Sequence, residues 1–131
     1  MQPLEKEIIF TPKAPLPSSS VSQAVKYDNM VYVSGVVPLA VETGSVLFPN
    51  QMEKQTILVL QYISEILDKA GSSLNNILKV NAFLNDMNDF HKYDTAYASF
   101  FGTEPPARCS IGIGQFPLEG VCVEIECIAF C

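Results

Sequence analysis

The chain is poor in the groups from which most active sites are built. It has a single histidine, and its 8 basic residues face 14 acidic ones, for a net charge of -6. The lysines are scattered from Lys6 to Lys92 without forming a run. Nucleic acid is therefore a poor partner, because phosphate backbones need a concentrated positive surface. His91 stands beside Phe90 and Lys92 in a predicted helix, off its aromatic stripe, and reads as a solvated surface residue; no Ser-His-Asp or Cys-His set can be built around it. No P-loop, GxGxxG turn or metal-ligand cluster is visible, so any catalysis is expected to use no cofactor and no metal. The cysteines at 109, 122, 127 and 131 lack paired CxxC spacing and read as small buried thiols of a reducing compartment, with Cys131 the most exposed. The longest apolar runs, such as Met30 to Val33 and Ile57 to Leu60, fall far short of the roughly 20 residues of a membrane span. The stretch MQPLEKEIIF has no apolar signal core and carries two glutamates, which makes the cytosol the expected compartment.

What is present suits one soluble domain: 131 residues, 48% of them hydrophobic and 17% charged, enough to bury a core. Glu7 to Phe10 reads as a short edge strand, and Thr11 to Ser20, rich in proline and serine, as an ordered loop. Val21 to Tyr27 and Met30 to Val37 form a predicted hairpin about Asp28-Asn29. After a loop, Asn50 with Glu53 has the form of an N-cap and capping-box partner. Val59, Leu60, Ile63, Ile66, Leu67 and Ala70 make one apolar helical stripe, with Gly71 as the stop. Ile77 to Leu84 reads as a strand. Asn85 to Asp89 supplies caps for a second helix bearing Phe90, Tyr93, Tyr97, Phe100 and Phe101 on one side, and Pro105-Pro106 ends it. This order predicts an α+β domain whose sheet carries both helices on one face. The other face is then left for a subunit interface, giving a homo-oligomer with sites between subunits.

Pro105 to Phe130 holds the only arginine and a close carboxylate pair. With period 2, Val121, Val123, Ile125, Cys127 and Ala129 lie on one face of the last strand, and Cys122, Glu124, Glu126, Ile128 and Phe130 on the other. The preceding strand sets Cys109, Ile111 and Ile113 opposite Arg108, Ser110, Gly112 and Gly114. Gln115 to Gly120 reads as a hairpin turn, which lets Arg108 and Glu124 share one sheet face. Two readings follow from residue types alone. The pair is a structural ion pair, or Arg108 presents its planar fork to a ligand carboxylate with a partly buried glutamate nearby as base or water-orienting group. Glu124 and Glu126 have the same parity, so both remain candidates. Ser34-Gly35 ends a strand either as a plain bend or where a ligand approaches the backbone.

These segments resemble the RidA (YjgF) family of reactive-intermediate deaminases, also known as L-PSP endoribonucleases. The resemblance runs end to end and rests on SQAVKYDNMVYVSGVVP (Ser22 to Pro38), NNILKVNAFLNDMNDF (Asn75 to Phe90) with YASFF, and PPAR followed by VEIECIAF. It implies a chorismate mutase-like fold and a homotrimer with intersubunit clefts. The implied activity is hydrolysis of small 2-imino or enamine acids to 2-keto acids and ammonia. Carried over, Arg108 holds the substrate carboxylate, Glu124 positions the water and the Gly35 backbone lines the cleft. The chain also departs from the family pattern. Val21 stands where a tyrosine is usual, Ser110 where cysteine or threonine is common, Asp94 in place of a helix asparagine, and Val36 in place of glutamine. A remodelled cleft is therefore expected. Two other functions fit it: a tailoring enzyme for a larger metabolite, or a non-catalytic member that binds a small carboxylate or a protein.

Overall fold

The computed structural model describes residues 4–131, so residues 1–3 of the amino-terminal stretch lie outside the described residues. The strands are β1 (Glu7–Ile9), β2 (Ala24–Tyr27), β3 (Met30–Val36), β4 (Ile77–Leu84), β5 (Ala107–Gly112) and β6 (Val123–Phe130); the α-helices are α1 (Met52–Ala70) and α2 (Phe90–Ala98). One six-stranded sheet has the order β1-β2-β3-β6-β4-β5. Only the β4–β5 pair is parallel. The expected α+β domain, with a mixed sheet and both helices on one face, is what forms.

The apolar stripe of α1 causes that packing. Val59, Leu60, Ile63, Ile66, Leu67 and Ala70 are all buried against the inward residues of the sheet, among them Val31, Val80, Val123 and Ile125. Fully burying side chains of this size contributes about 1.5–3 kcal/mol each. Gly71 stops the helix at φ 86°, a left-handed conformation in which any Cβ is strained. Asp28, at φ 56°, opens the tight β2–β3 turn that pairs Tyr27 with Met30.

Several local expectations are corrected. Asn50 does not cap α1: it sits at φ 64°, and its N–H donates to the Gly120 carbonyl at 2.9 Å. Gln51 holds the cap position without a side-chain bond. The helix start is fixed instead from inside. Buried Gln55 donates from Nε2 to the Leu47, Phe48 and Gly120 carbonyls and accepts the Cys122 N–H on Oε1 at 2.7 Å. A buried amide with its polar atoms satisfied pins three segments at once. Strand β2 begins at Ala24, because Val21 is taken up in a turn with Ser18. Helix α2 ends well before Pro105, with Ser99 as its C-cap.

The largest correction concerns the last two strands, which are not a hairpin. Strand β5 pairs only with β4, while β6 inserts between β3 and β4. Residues 113–122 therefore cross over β4 rather than turning tightly. The face opposite the helices presents Ile8, Tyr27, Tyr32, Ile111 and Phe130 to solvent. Alternation puts them there, because their neighbours Ile9, Val31, Val33 and Ala129 are buried under the helices.

Candidate functional site

The strand order separates the residues that the sequence placed together. On β4, Val80 pairs with Arg108 on one side and Cys127 on the other, and Val80 and Cys127 are buried beneath the helices. Phe83, of the opposite parity, pairs with Glu124. Arg108 thus projects toward α2, and Glu124 toward the helix-free face. Alternation along each strand was read correctly, but it carries no information about which strand lies beside which. Within one chain Arg108 and Glu124 do not share a sheet face.

The first half-site gathers Arg108, Asp94 and Ser110. The aromatic stripe of α2 builds it: the Arg108 guanidinium lies 4.6 Å from the Tyr97 ring centroid, 5.4 Å from Tyr93 and 5.8 Å from Phe90. Three ring faces favour a cation there. Nη1 donates to Asp94 Oδ1 at 2.7 Å, and the hydroxyls of Tyr93 and Ser110 share a hydrogen bond of 2.8 Å. Burial works against the Arg108 charge, but the Asp94 bond and the two tyrosines outweigh it, so its pKa is raised and it stays a fixed cation. Tyr97 is not a base. Burial, then Tyr93, pushes it up to about 12, and its hydroxyl has no hydrogen-bond partner among the described residues. A pocket of about 410 Å³ opens here, lined by Asp94, Tyr97, Phe101, Pro105, Pro106 and Arg108.

The second half-site gathers Glu124, Gly35 and Val21 in a groove of about 650 Å³. Its wall is the Thr11–Ser20 loop, which Gln23 orders. Gln23 Nε2 donates to the Thr11, Ala14 and Pro15 carbonyls, and Oε1 accepts the Thr11 N–H at 2.8 Å. The β3–β6 register shifts between Val33 and Val36, which brings the Gly35 backbone against Glu124. A Cβ at Gly35 would lie 2.9 Å from Glu124 Cδ and closer still to Oε2. Only glycine lets the carboxylate rest where it does. Val21 lines the same groove with Leu16, Phe116 and Leu118, so the wall is apolar where the resemblance implied a phenol hydroxyl.

The two glutamates differ. Glu126 accepts from Asn81 Nδ2 at 3.2 Å, whereas burial, then Glu126, raises the Glu124 carboxyl above the usual glutamate range. The folded chain thus holds the Glu124 proton more tightly than the unfolded chain does. The resulting stability is fully present below the unfolded pKa, about pH 4, and is lost as pH rises through the folded value. Glu124→Gln is accordingly expected to raise the melting temperature relative to the parent at pH 7 and to leave it unchanged at pH 3; equal shifts at both pH values would contradict the assignment.

His91 is exposed, as expected. Cys122 and Cys127 are buried, and burial, then Glu126, pushes Cys127 up to about 12, far from a nucleophilic thiolate. Cys109 and Cys131 are exposed, so the expectation of buried thiols holds for Cys122 and Cys127 and fails for Cys109 on the edge strand, while Cys131 at the chain end is exposed as expected. Among the described residues no cluster of His, Cys, Asp and Glu could hold a metal ion, and no helix is long and apolar enough to cross a membrane. The sequence reading missed Gln23 and Gln55, whose type gives no sign of burial, and placed the α2 aromatics on one side of a helix without linking them to Arg108.

Comparison with known proteins gives a consistent picture. The family model described as endoribonuclease L-PSP matches residues 11–131. A RutC family protein of Pyrococcus horikoshii is 42% identical, over 95% of this chain and 98% of its own. The 2-iminobutanoate/2-iminopropanoate deaminase of Mus musculus is 36% identical, over 98% of this chain and 94% of its own. The crystal structure of RidA from the Antarctic bacterium Psychrobacter superposes with a TM-score of 0.88 at 34% identity, over 95% of this chain and 99% of that one.

Proposed function

The chain belongs to the RidA (YjgF) family, described by its family model as endoribonuclease L-PSP, and from that premise we propose that it hydrolyses small 2-imino and enamine acids to 2-keto acids and ammonia without a cofactor. The clefts are shared between copies of the chain in a homotrimer. One observation carries this reading: the candidate residues sort into two incomplete half-sites on opposite faces of the sheet, a cation among aromatic rings and a carboxylate held against a glycine. A second copy seated on the exposed apolar face, which bears Tyr32 and Ile111, completes each half with the other's missing group.

The chemistry asks little more than this. Arg108 receives the substrate carboxylate on its fork. Glu124 of the neighbouring copy takes a proton from water as the oxygen bonds to the imine carbon, and passes it to nitrogen, giving a carbinolamine. It then takes the remaining hydroxyl proton as the C=O bond forms and passes it to nitrogen as the C–N bond breaks and ammonia leaves. An imine is already electrophilic, so orientation and one charge partner suffice. The raised pKa of Glu124 suits the return of the proton. The purified chain is expected to accelerate ammonia release from 2-aminoacrylate generated in situ; a rate equal to the spontaneous one would remove this reading.

The groove volume supports a second reading. About 650 Å³ bounded by Leu16, Val21, Phe116 and Leu118 is within the range of sites for drug-sized ligands and exceeds what a three-carbon acid fills. A tailoring enzyme acting on a larger metabolite fits that wall. It predicts turnover that improves with the size of the substrate's apolar side chain.

A further inference from the structure

The carboxylate anchor is already partly occupied by a carboxylate of its own chain. Asp94 Oδ1 accepts from Arg108 Nη1 at 2.7 Å, with the Asp94 side chain 43% exposed and that of Arg108 24% exposed. The contact is one oxygen on one nitrogen, so Asp94 engages only part of the guanidinium fork, which carries five N–H donors in all. Both side chains line the same pocket. A ligand carboxylate arriving there meets a guanidinium whose charge is balanced and a second carboxylate beside it. Asp94 is not the only tie between α2 and the sheet: Tyr93 and Tyr97 are buried, and Tyr93 shares a hydrogen bond with Ser110 on β5.

From this geometry we infer that Asp94 is a specificity-determining residue, which competes with the substrate carboxylate for Arg108 and disfavours ligands whose only handle is that carboxylate. The inference rests on the reading of Arg108 as a carboxylate anchor. In the shared cleft proposed above, its consequence is a shift of binding energy toward the apolar groove that the neighbouring copy supplies. Two- to four-carbon acids lose most, because they offer little surface to Val21, Phe116 and Leu118. Acids with a large apolar side chain lose the same electrostatic share and recover it by burial.

The test uses the full chain and two probes, 2-oxobutanoate and its uncharged amide, titrated by calorimetry into the parent, Asp94→Asn and Asp94→Ala. Removing the negative charge is expected to tighten 2-oxobutanoate about tenfold in both variants, since like-charge juxtaposition is the effect relieved, and to leave the amide unchanged. In turnover of 2-iminobutanoate the gain falls on KM, not on kcat. If the parent binds the acid and neither variant binds it more tightly, Asp94 merely positions Arg108 and the inference fails while the functional reading stands. If the acid and the amide tighten together, the effect is one of fit and the inference fails. If the parent and both variants show no binding of the acid, Arg108 is no carboxylate anchor, and the reading beneath the inference falls with it.

Discussion

Arg108→Ala is expected to lower kcat/KM for 2-aminoacrylate by about two to three orders of magnitude, the loss that follows when one partner of a desolvated, hydrogen-bonded charge pair is truncated. The substrate loses its only fixed cation, and no lysine lies in either half-site to replace it. Arg108→Lys should recover little, since an ammonium on the same strand has no planar fork to match a carboxylate and stacks less well among rings. The protein itself should survive the change. Arg108 contributes cation–π contacts with Phe90, Tyr93 and Tyr97, about 1–2 kcal/mol in a partly desolvated setting. Asp94, left without its partner, is open enough to be hydrated. A folded Arg108→Ala protein that keeps parental turnover would show that the substrate is held elsewhere.

Gly35→Ala should be nearly as damaging for a different reason. The added methyl group would run into the Glu124 carboxylate, which ends a flexible side chain and is displaced, leaving the backbone in place. Gly35 is not among the glycines with positive φ, so alanine can adopt its conformation. The fold should therefore be kept while the water-positioning oxygen moves. Displacement of about 1 Å can cost about 10²-fold in rate, and that loss is expected in kcat, because the Arg108 anchor is untouched. Stopped-flow or coupled-assay kinetics beside a melting curve separate the outcomes. A collapse in stability, or a loss confined to KM, would contradict the role given to Gly35.

Most of the fold was legible because its signals are periodic. The α1 stripe from Val59 to Ala70, the Asp28-Asn29 turn and the Ile77–Leu84 strand each follow from local patterns that packing reinforced. The candidate residues could be picked out from the sequence, but not their arrangement. Arg108, Glu124, Gly35, Val21, Asp94 and Ser110 all fall in one or other half-site. The sequence placed Arg108 and Glu124 on one face because proline and glycine in Gln115 to Gly120 look alike in a tight hairpin and in a loop that crosses another strand. Strand neighbours are set by which apolar faces must be covered across the whole sheet, and no short window of sequence contains that. Likewise Asn50 and Gln55 are polar residues whose tasks, returning the chain and bonding buried carbonyls, appear only once the Gly120 loop has come to rest on α1.

The central claim is that each working site takes Arg108 from one copy and Gly35 with Glu124 from another. Coexpression of the Arg108→Ala and Gly35→Ala chains tests it directly, since each is inactive for want of the half that the other retains. In a cyclic trimer assembled at random from equal amounts, every mixed assembly contains one interface with both halves intact, and the preparation should recover about one quarter of parental activity. Activity no greater than the sum of the two separate variants would mean that each site lies within a single chain, and the account would be wrong.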